Sequence, residues 1–168
     1  MKYSTHVITA LGVSTALVAS NILSAPDFGL DRGFDNYIWF ILIIGFGGLF
    51  PDIDHSKSFL SRKLGFSIPI RHRGFTHTIY PYIVLMSLSL FYGNNIWTEI
   101  AFWFGLGSLL HSWGDMHTVS GVKLLYWNSA SHALPKFLIW SSGSKKELFW
   151  FGFYSVLFLG SLFVLTSS

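Results

Sequence analysis

The chain has 168 residues and a mean hydropathy of +0.50, and charged residues make up only 11% of it against 18% aromatic residues. A soluble domain of this size needs far more charge to cover its surface, so a membrane protein is the default class. Cysteine is absent, which excludes disulfides and thiolate metal sites and leaves histidine, aspartate and glutamate to hold any metal. The length predicts one integral membrane domain over 1–168.

Five apolar runs follow one another and predict an all-α protein, a polytopic bundle of about five transmembrane or membrane-embedded helices. The runs cover 7–23, 37–50, 79–92, 96–110 and 148–165. The second and third have 14 residues each, which gives helices of about 21 Å against a hydrocarbon core of about 30 Å. These two runs therefore either span the bilayer or form buried or re-entrant helices. Glycines in the second and fourth runs predict close helix packing.

Local signals predict where these helices begin and end. Pro51 should stop the second helix, Thr78 should cap the third, and 93–95 should form a tight turn before the fourth. The first run has an alternative interpretation as a signal peptide cleaved near Ala19, which would remove His6.

The basic residues predict the orientation. If the N-terminus is cytoplasmic, the polar segments 52–73 and 112–146 are cytoplasmic too. Together with Lys2 they hold ten of the eleven lysines and arginines, so that only Arg32 lies outside.

Three polar clusters stand at the cytoplasmic ends of the predicted helices, PDIDH at 51–55, RHRGFTHT at 71–78 and HSWGDMH at 111–117. In a continuing helix His111 and Asp115 share one face. In an extended turn Asp52 and Asp54 point the same way, and the flexible Gly74 lets its turn bring two imidazoles inward.

Groups from four segments then meet at one membrane face, as an interfacial enzyme site requires, whereas a transporter would place them near the midplane. Taken singly, each carboxylate or histidine could equally serve as a helix cap or an interface anchor. Arg71 and Arg73 could equally serve as orientation signals that bind anionic lipid headgroups. Taken singly, each of three histidines is expected to be a solvated loop residue and not a ligand: His55, His117 and His132. The combination nevertheless favours a metal site, with these candidate ligands: His6, Asp52, Asp54, His72, His77, His111 and Asp115.

These motifs resemble the YdjM-like family of bacterial inner-membrane proteins, classed as metal-dependent hydrolases, with some members under LexA control. The resemblance is carried by LFPDIDH at 49–55, HRGFTHT at 72–78, the pattern His111-x3-Asp115-x2-Thr118-x2-Gly121-Val122, the early His6, and GSKKE at 143–147. The chain departs from the family pattern in 126–134, where members carry arginines, and this bears on substrate contacts more than on metal binding.

The resemblance implies a metal-dependent hydrolase of the bacterial inner membrane that acts on a phosphoester or lipid-type substrate at the cytoplasmic face. One or two divalent ions, zinc or manganese, would activate water, and Arg73 would neutralise developing charge. His117 or an uncoordinated carboxylate would act as the base. The expected partners are membrane lipids and a small-molecule or lipid phosphoester, with no nucleic acid.

Two alternatives stay open. One is a non-catalytic metal- or lipid-binding membrane protein, such as a stress-response factor. The other is a metal transporter, which is disfavoured because no ionisable residue lies in the middle of any apolar run.

Overall fold

The computed structural model of the protein describes residues 1–30, 33–70, 72–125 and 134–167. Within these ranges the chain is all-helical and forms no β-strand; a single isolated bridge pairs Thr118 with Trp140. The α-helices are α1 (Tyr3–Ala19), α2 (Gly33–Gly47), α3 (Phe59–Leu64), α4 (Tyr80–Tyr92), α5 (Ile96–Met116) and α6 (Lys145–Ser167). The 3₁₀ helices are η1 (Phe50–Asp54), η2 (Phe75–His77) and η3 (Lys136–Leu138).

Helix α5 lies at the centre of the packing. Helices α1, α2 and α4 all pack against it, and α6 packs along α1. The buried core at these contacts is apolar and includes Ala10, Phe40, Ile44 and Trp103. The beginnings of α1 and α4 meet the ends of α2 and α5, so loop and helix-end residues from distant parts of the sequence gather at one end of the bundle.

The crossing of α2 and α5 depends on glycine. A Cβ atom on Gly47 would lie 2.5 Å from the carbonyl oxygen of Phe104, and one on Gly107 would lie 2.6 Å from that of Ile44. These distances are too short for any side chain, so the two backbones are in direct contact. The close packing predicted from the glycines of the second and fourth runs is therefore confirmed at this crossing.

We expect Gly107→Ala to destabilise the protein by about 1–3 kcal/mol, because the added methyl group must push two packed helices apart. Thermal unfolding in detergent, followed by circular dichroism, measures the effect. Gly160→Ala is the matched control, since a Cβ there meets nothing within 4 Å and alanine favours a helix by up to about 1 kcal/mol. Equal losses in both variants would contradict this account of the crossing.

Each of the five predicted apolar runs coincides with an α-helix, but several helix ends differ from the predictions. Helix α5 continues past residue 110 to Met116. Thr78 is not the N-cap of α4: that position is Ile79, and the Thr78 hydroxyl instead donates to the carbonyl of Phe75 at 2.8 Å. The tight turn at 93–95 is confirmed, and Asn95 caps α5 in a capping box with Thr98.

The segment 52–73 is more structured than the loop expected from its polarity. Asp52 and Asp54 lie in a 3₁₀ helix rather than an extended turn, because the fixed φ of Pro51 suits the first turn of a helix. The short helix α3 was not predicted. Ser58 caps its beginning, accepting the amide of Ser61 at 3.1 Å, and Gly65 ends it in the left-handed conformation.

The surface of the bundle is apolar while hydroxyl groups lie inside it. Large side chains along α6 are exposed, among them Phe149, Val156 and Phe163, whereas Thr15 and Ser108 are fully buried. This distribution is typical of helices that face lipid. Within the described ranges α6 is the one helix long and apolar enough to cross a membrane, and α1, α4 and residues 35–47 of α2 are shorter apolar helices.

Candidate metal centre

Four segments deliver histidines and carboxylates to one end of the bundle. His6 comes from the beginning of α1, Asp52 from η1, His77 from η2 and His111 from α5. Two side chains of α5 bond backbone carbonyls of neighbouring segments. The ring of His111 bonds the carbonyl of Gly48 at 2.8 Å, and the Ser112 hydroxyl donates to the carbonyl of His77 at 3.1 Å.

The hydrogen bonds of His111 and His77 set which ring nitrogen is free. A carbonyl can only accept, so His111 donates Nδ1–H to Gly48 and its neutral ring keeps the lone pair on Nε2. In η2 the Thr76 hydroxyl donates to Asp54 at 2.6 Å, so its oxygen accepts Nδ1–H of His77 at 3.1 Å. Both Nε2 atoms are buried and have no hydrogen-bond partner. Metal-binding histidines are oriented in this way.

Two carboxylates face these nitrogens. An oxygen of Asp52 lies 3.6 Å from Nε2 of both His77 and His111. An oxygen of Asp115 lies 3.6 Å from Nε2 of His77 and 4.0 Å from that of His111. Such separations exceed hydrogen-bond length but accommodate an ion bonded to each atom at about 2.0–2.2 Å. Two imidazoles and two carboxylates are a donor set that suits zinc or manganese.

His6 and His72 extend the cluster on either side. The ring of His6 stacks on that of His111, with centroids 3.8 Å apart, and its Nε2 lies 3.5 Å from Asp115. His72 is 37% exposed at the edge of the cluster. Three groups have ligand atoms close enough to share an ion: His6, Asp52 and His111; Asp52, His72 and His77; and His77, His111 and Asp115.

Asp54, although predicted as a ligand, belongs to none of these groups. Its two oxygens already accept three close hydrogen bonds, from His72 Nδ1 at 2.7 Å, the backbone amide of Arg73 at 3.1 Å and the Thr76 hydroxyl at 2.6 Å. This carboxylate therefore orients the neighbouring histidines instead of facing the centre of the cluster. The difference from Asp52, two residues earlier, follows from the 3₁₀ turn, which directs the two side chains apart.

Arg73 closes one side of the cluster. Its guanidinium lies 3.3 Å from Asp115, bonds the hydroxyl of Ser120, and donates to the carbonyl of Gly121 at 2.8 Å. The left-handed residue of this turn is Arg73, with φ of 57°, and the adjacent Gly74 has φ of −92° and ψ of −129°. A non-glycine residue in that conformation is strained, and the bonds of its amide and guanidinium hold it there.

In η1 and η2 the carboxylates and the histidines stabilise each other's charged forms. Burial raises the pKa of the Asp52 carboxyl, but the adjacent rings of His111 and His77 lower it more, so the pKa lies well below its usual range. Burial likewise raises the pKa of Asp54, and its bonds to His72, His77 and Thr76 bring it below the usual range. Burial lowers the pKa of His77, yet the carboxylates of Asp52 and Asp54 raise it to about 9.

His117, predicted as a candidate base, does not join the cluster. It follows Asp115 by two residues, a rotation of about 200° around a helix, so its side chain points to the opposite side. Its ring stacks on Trp140 with centroids 4.3 Å apart, and Nδ1 bonds the carbonyl of Leu138 at 3.1 Å. Arg71 and the 126–133 part of the divergent segment, including His132, lie outside the described residues.

Two positioning residues were not recognised in the sequence. Thr76 connects Asp54 to His77, and no local pattern distinguishes it from a surface threonine. Glu147 is 2% exposed and accepts the backbone amides of Lys2 at 2.6 Å and Gly143 at 2.5 Å, so it fixes the beginning of α1, which carries His6, against α6. The GSKKE motif at 143–147 was its signal in the sequence, but the motif alone does not indicate a contact with α1.

A cleft of about 280 Å³ leads to the cluster. Its lining includes Asp52, His6 and Asp115 of the cluster together with the cationic Lys57 and Arg62. The described part of this cleft therefore combines buried ligand atoms with cationic side chains that attract an anion.

Known proteins show the same sequence pattern. A family model described as YdjM inner membrane protein matches residues 1–167. Two curated relatives, both named inner membrane protein YdjM, come from Escherichia coli (strain K12) and Shigella flexneri. Each is 39% identical over 111 residues, 60% of this chain and 55% of the relative, so the chain spans about half the length of the curated relatives it matches. No solved structure matches the chain. The chain belongs to the YdjM family of inner membrane proteins.

Proposed function

We propose that the protein is a metal-dependent hydrolase that acts on a phosphoester or lipid-type substrate at the cytoplasmic face of the bacterial inner membrane. The observation that carries the proposal is the pair of buried Nε2 atoms of His77 and His111, which lack hydrogen-bond partners and face the carboxylates of Asp52 and Asp115. Leaving polar atoms buried and unpaired is costly, and a cation removes that cost.

Asp52, His77, His111 and Asp115 would hold the ion, with His6 beside them. A bound divalent ion, zinc or manganese, supplies a water of lowered pKa for attack on an ester. His72 takes the role of base that was predicted for His117, because its ring is exposed at the cluster and Asp54 holds Nδ1 at 2.7 Å. Arg73, 24% exposed and anchored on its far side, binds the anionic group of the substrate.

The membrane arrangement is part of the proposal. The five long helices would form a multi-pass bundle, with the N-terminus and the cluster on the cytoplasmic side. Support comes from the family, from the exposed apolar side chains of the helices, and from the ten basic residues on the predicted cytoplasmic side. Membrane lipids would then surround the bundle, and the cleft with Lys57 and Arg62 would open towards the anionic leaflet.

The test combines metal analysis with an activity assay. Protein purified in detergent should contain zinc or manganese in stoichiometric amount and hydrolyse a generic phosphodiester when either metal is supplied. His77→Ala should lose both metal and activity, whereas Lys136→Gln, an exposed residue on η3, should keep both.

Metal bound without hydrolysis of any phosphoester would overturn the enzymatic proposal and favour the non-catalytic metal-binding alternative. Absence of metal from the wild-type protein would overturn the metal centre itself. A protein that only binds lipid would show neither bound metal nor hydrolysis.

A further inference from the structure

A second cavity adjoins the cluster on the other side of Arg73. It measures about 510 Å³, a volume within the range of small-molecule sites, and it shares His72 and Arg73 with the cleft described above. Its walls come from the turn before α4 and from the segment after α5. The amide of Ile79 joins these two walls by donating to the carbonyl of Leu124 at 3.1 Å.

Within the described ranges, the formally charged side chains that line this cavity are both cationic. Arg73 and Lys123 line it, and no carboxylate does so in the part of the chain that the structure describes. Lys123 is partly buried and has no ion-pair partner among the described residues. The guanidinium of Arg73 is held in place by Ser120 and Gly121, which themselves line the cavity. Arg73 is also paired with Asp115 at 3.3 Å, but Asp115 does not line this cavity, and Lys123 is the cation without a matching anion among the described residues. A cavity lined by two cations and by no described carboxylate is the pattern of an anion-binding site.

Part of the cavity lining is apolar. Ile70 is 39% exposed and Phe75 is 54% exposed, and Val122, which also lines the cavity, is buried. A site for a small water-soluble anion has no need of exposed aliphatic and aromatic walls. A ligand with an anionic head and an apolar chain matches both parts.

We infer that this cavity binds a phosphate-bearing amphiphile, with the anionic head between Arg73 and Lys123 and the acyl chain against Ile70 and Phe75. The inference rests on the proposed function, because it names the substrate class of that site. It makes Lys123 and Ile70 specificity-determining residues, neither of which is among the proposed metal ligands.

Binding to the intact, metal-free protein in detergent tests the inference by calorimetric titration. The probes are dihexanoylphosphatidic acid, the zwitterionic dihexanoylphosphatidylcholine and inorganic phosphate. We expect the phosphatidic acid to bind most tightly. Lys123→Gln should weaken it about tenfold, the loss expected for one charge-assisted hydrogen bond, and Lys136→Gln should not.

Ile70→Ser should weaken the phosphatidic acid about fivefold while leaving inorganic phosphate unchanged, and Ile22→Ser, an exposed isoleucine elsewhere, should affect neither. Inorganic phosphate binding as tightly as the amphiphile would overturn the inference, and so would equal binding of the zwitterion or unchanged binding in Lys123→Gln. No metal is present in the titration, so its failure leaves the metal and hydrolysis assays standing. Failure of those assays leaves the titration standing.

Discussion

Asp52→Asn should abolish metal binding, while the same change at Asp54 should only weaken it. The carboxylate of Asp52 faces Nε2 of both His77 and His111, and an amide is a poor substitute for it as a metal ligand. Asp54 is occupied by His72, Arg73 and Thr76, so its loss should reduce affinity by about 10–100-fold, as for other groups that orient a ligand. Metal content after gel filtration, with zinc affinity by competition with a chelator, measures both.

Asp27→Asn is the matched control for this pair. Asp27 lies in the loop before α2, where its side chain accepts the amide of Gly29 at 2.9 Å, and asparagine keeps that acceptor. We expect wild-type metal content in this variant. If Asp54→Asn loses more metal than Asp52→Asn, the two carboxylates have exchanged roles and the assignment of ligands is wrong.

Metal affinity should rise steeply with pH up to about 9. Without an ion, His77 has its pKa raised to about 9, so its Nε2 carries a proton at neutral pH that the metal must displace. One proton released per ion increases the affinity about tenfold for each pH unit. Between pH 6 and pH 9 the gain is therefore about a thousandfold, and the curve should flatten above pH 9 because His77 is then already neutral.

The variant Asp54→Asn provides an internal check on the pH dependence. It removes one of the three carboxylates that raise the pKa of His77, so its affinity should stop rising at a lower pH than in the wild type. Titration of metal affinity and of proton release at several pH values measures both effects. A metal affinity that stays constant between pH 7 and pH 9 in the wild type would show that metal binding does not displace a proton from His77.

Sequence periodicity predicted the parts of the fold and cluster that depend on local geometry. The pairing of His111 with Asp115 follows from helix periodicity alone, and α5 continues far enough to realise it. The five long helices follow from apolar runs, and the crossing of Gly47 with Gly107 follows from the need for small residues where helices touch.

The remaining features depend on contacts that no local pattern encodes. Asp52 and Asp54 are chemically identical, and what separates them is the turn made by Pro51 and the hydroxyl of Thr76 across from it. His117 lies in the same polar cluster, 111–117, as His111 and was predicted as a candidate base, but its position after Asp115 turns it towards Trp140. The left-handed Arg73 beside a glycine is likewise a result of tertiary hydrogen bonds, since glycine is the usual residue for that conformation.

The collection of every proposed ligand at one end of the bundle bears on how the protein is made. If that end lies in the cytoplasm, as proposed above, no aspartate or histidine of the cluster has to be carried through the hydrocarbon layer during insertion. His6 and Asp52 are synthesised well before His111 and Asp115, and water can hydrate their side chains until the later residues have been made. The cluster closes only when α5 docks beside α1 and α2, so an ion bound there would mark chains whose helices have reached their final arrangement.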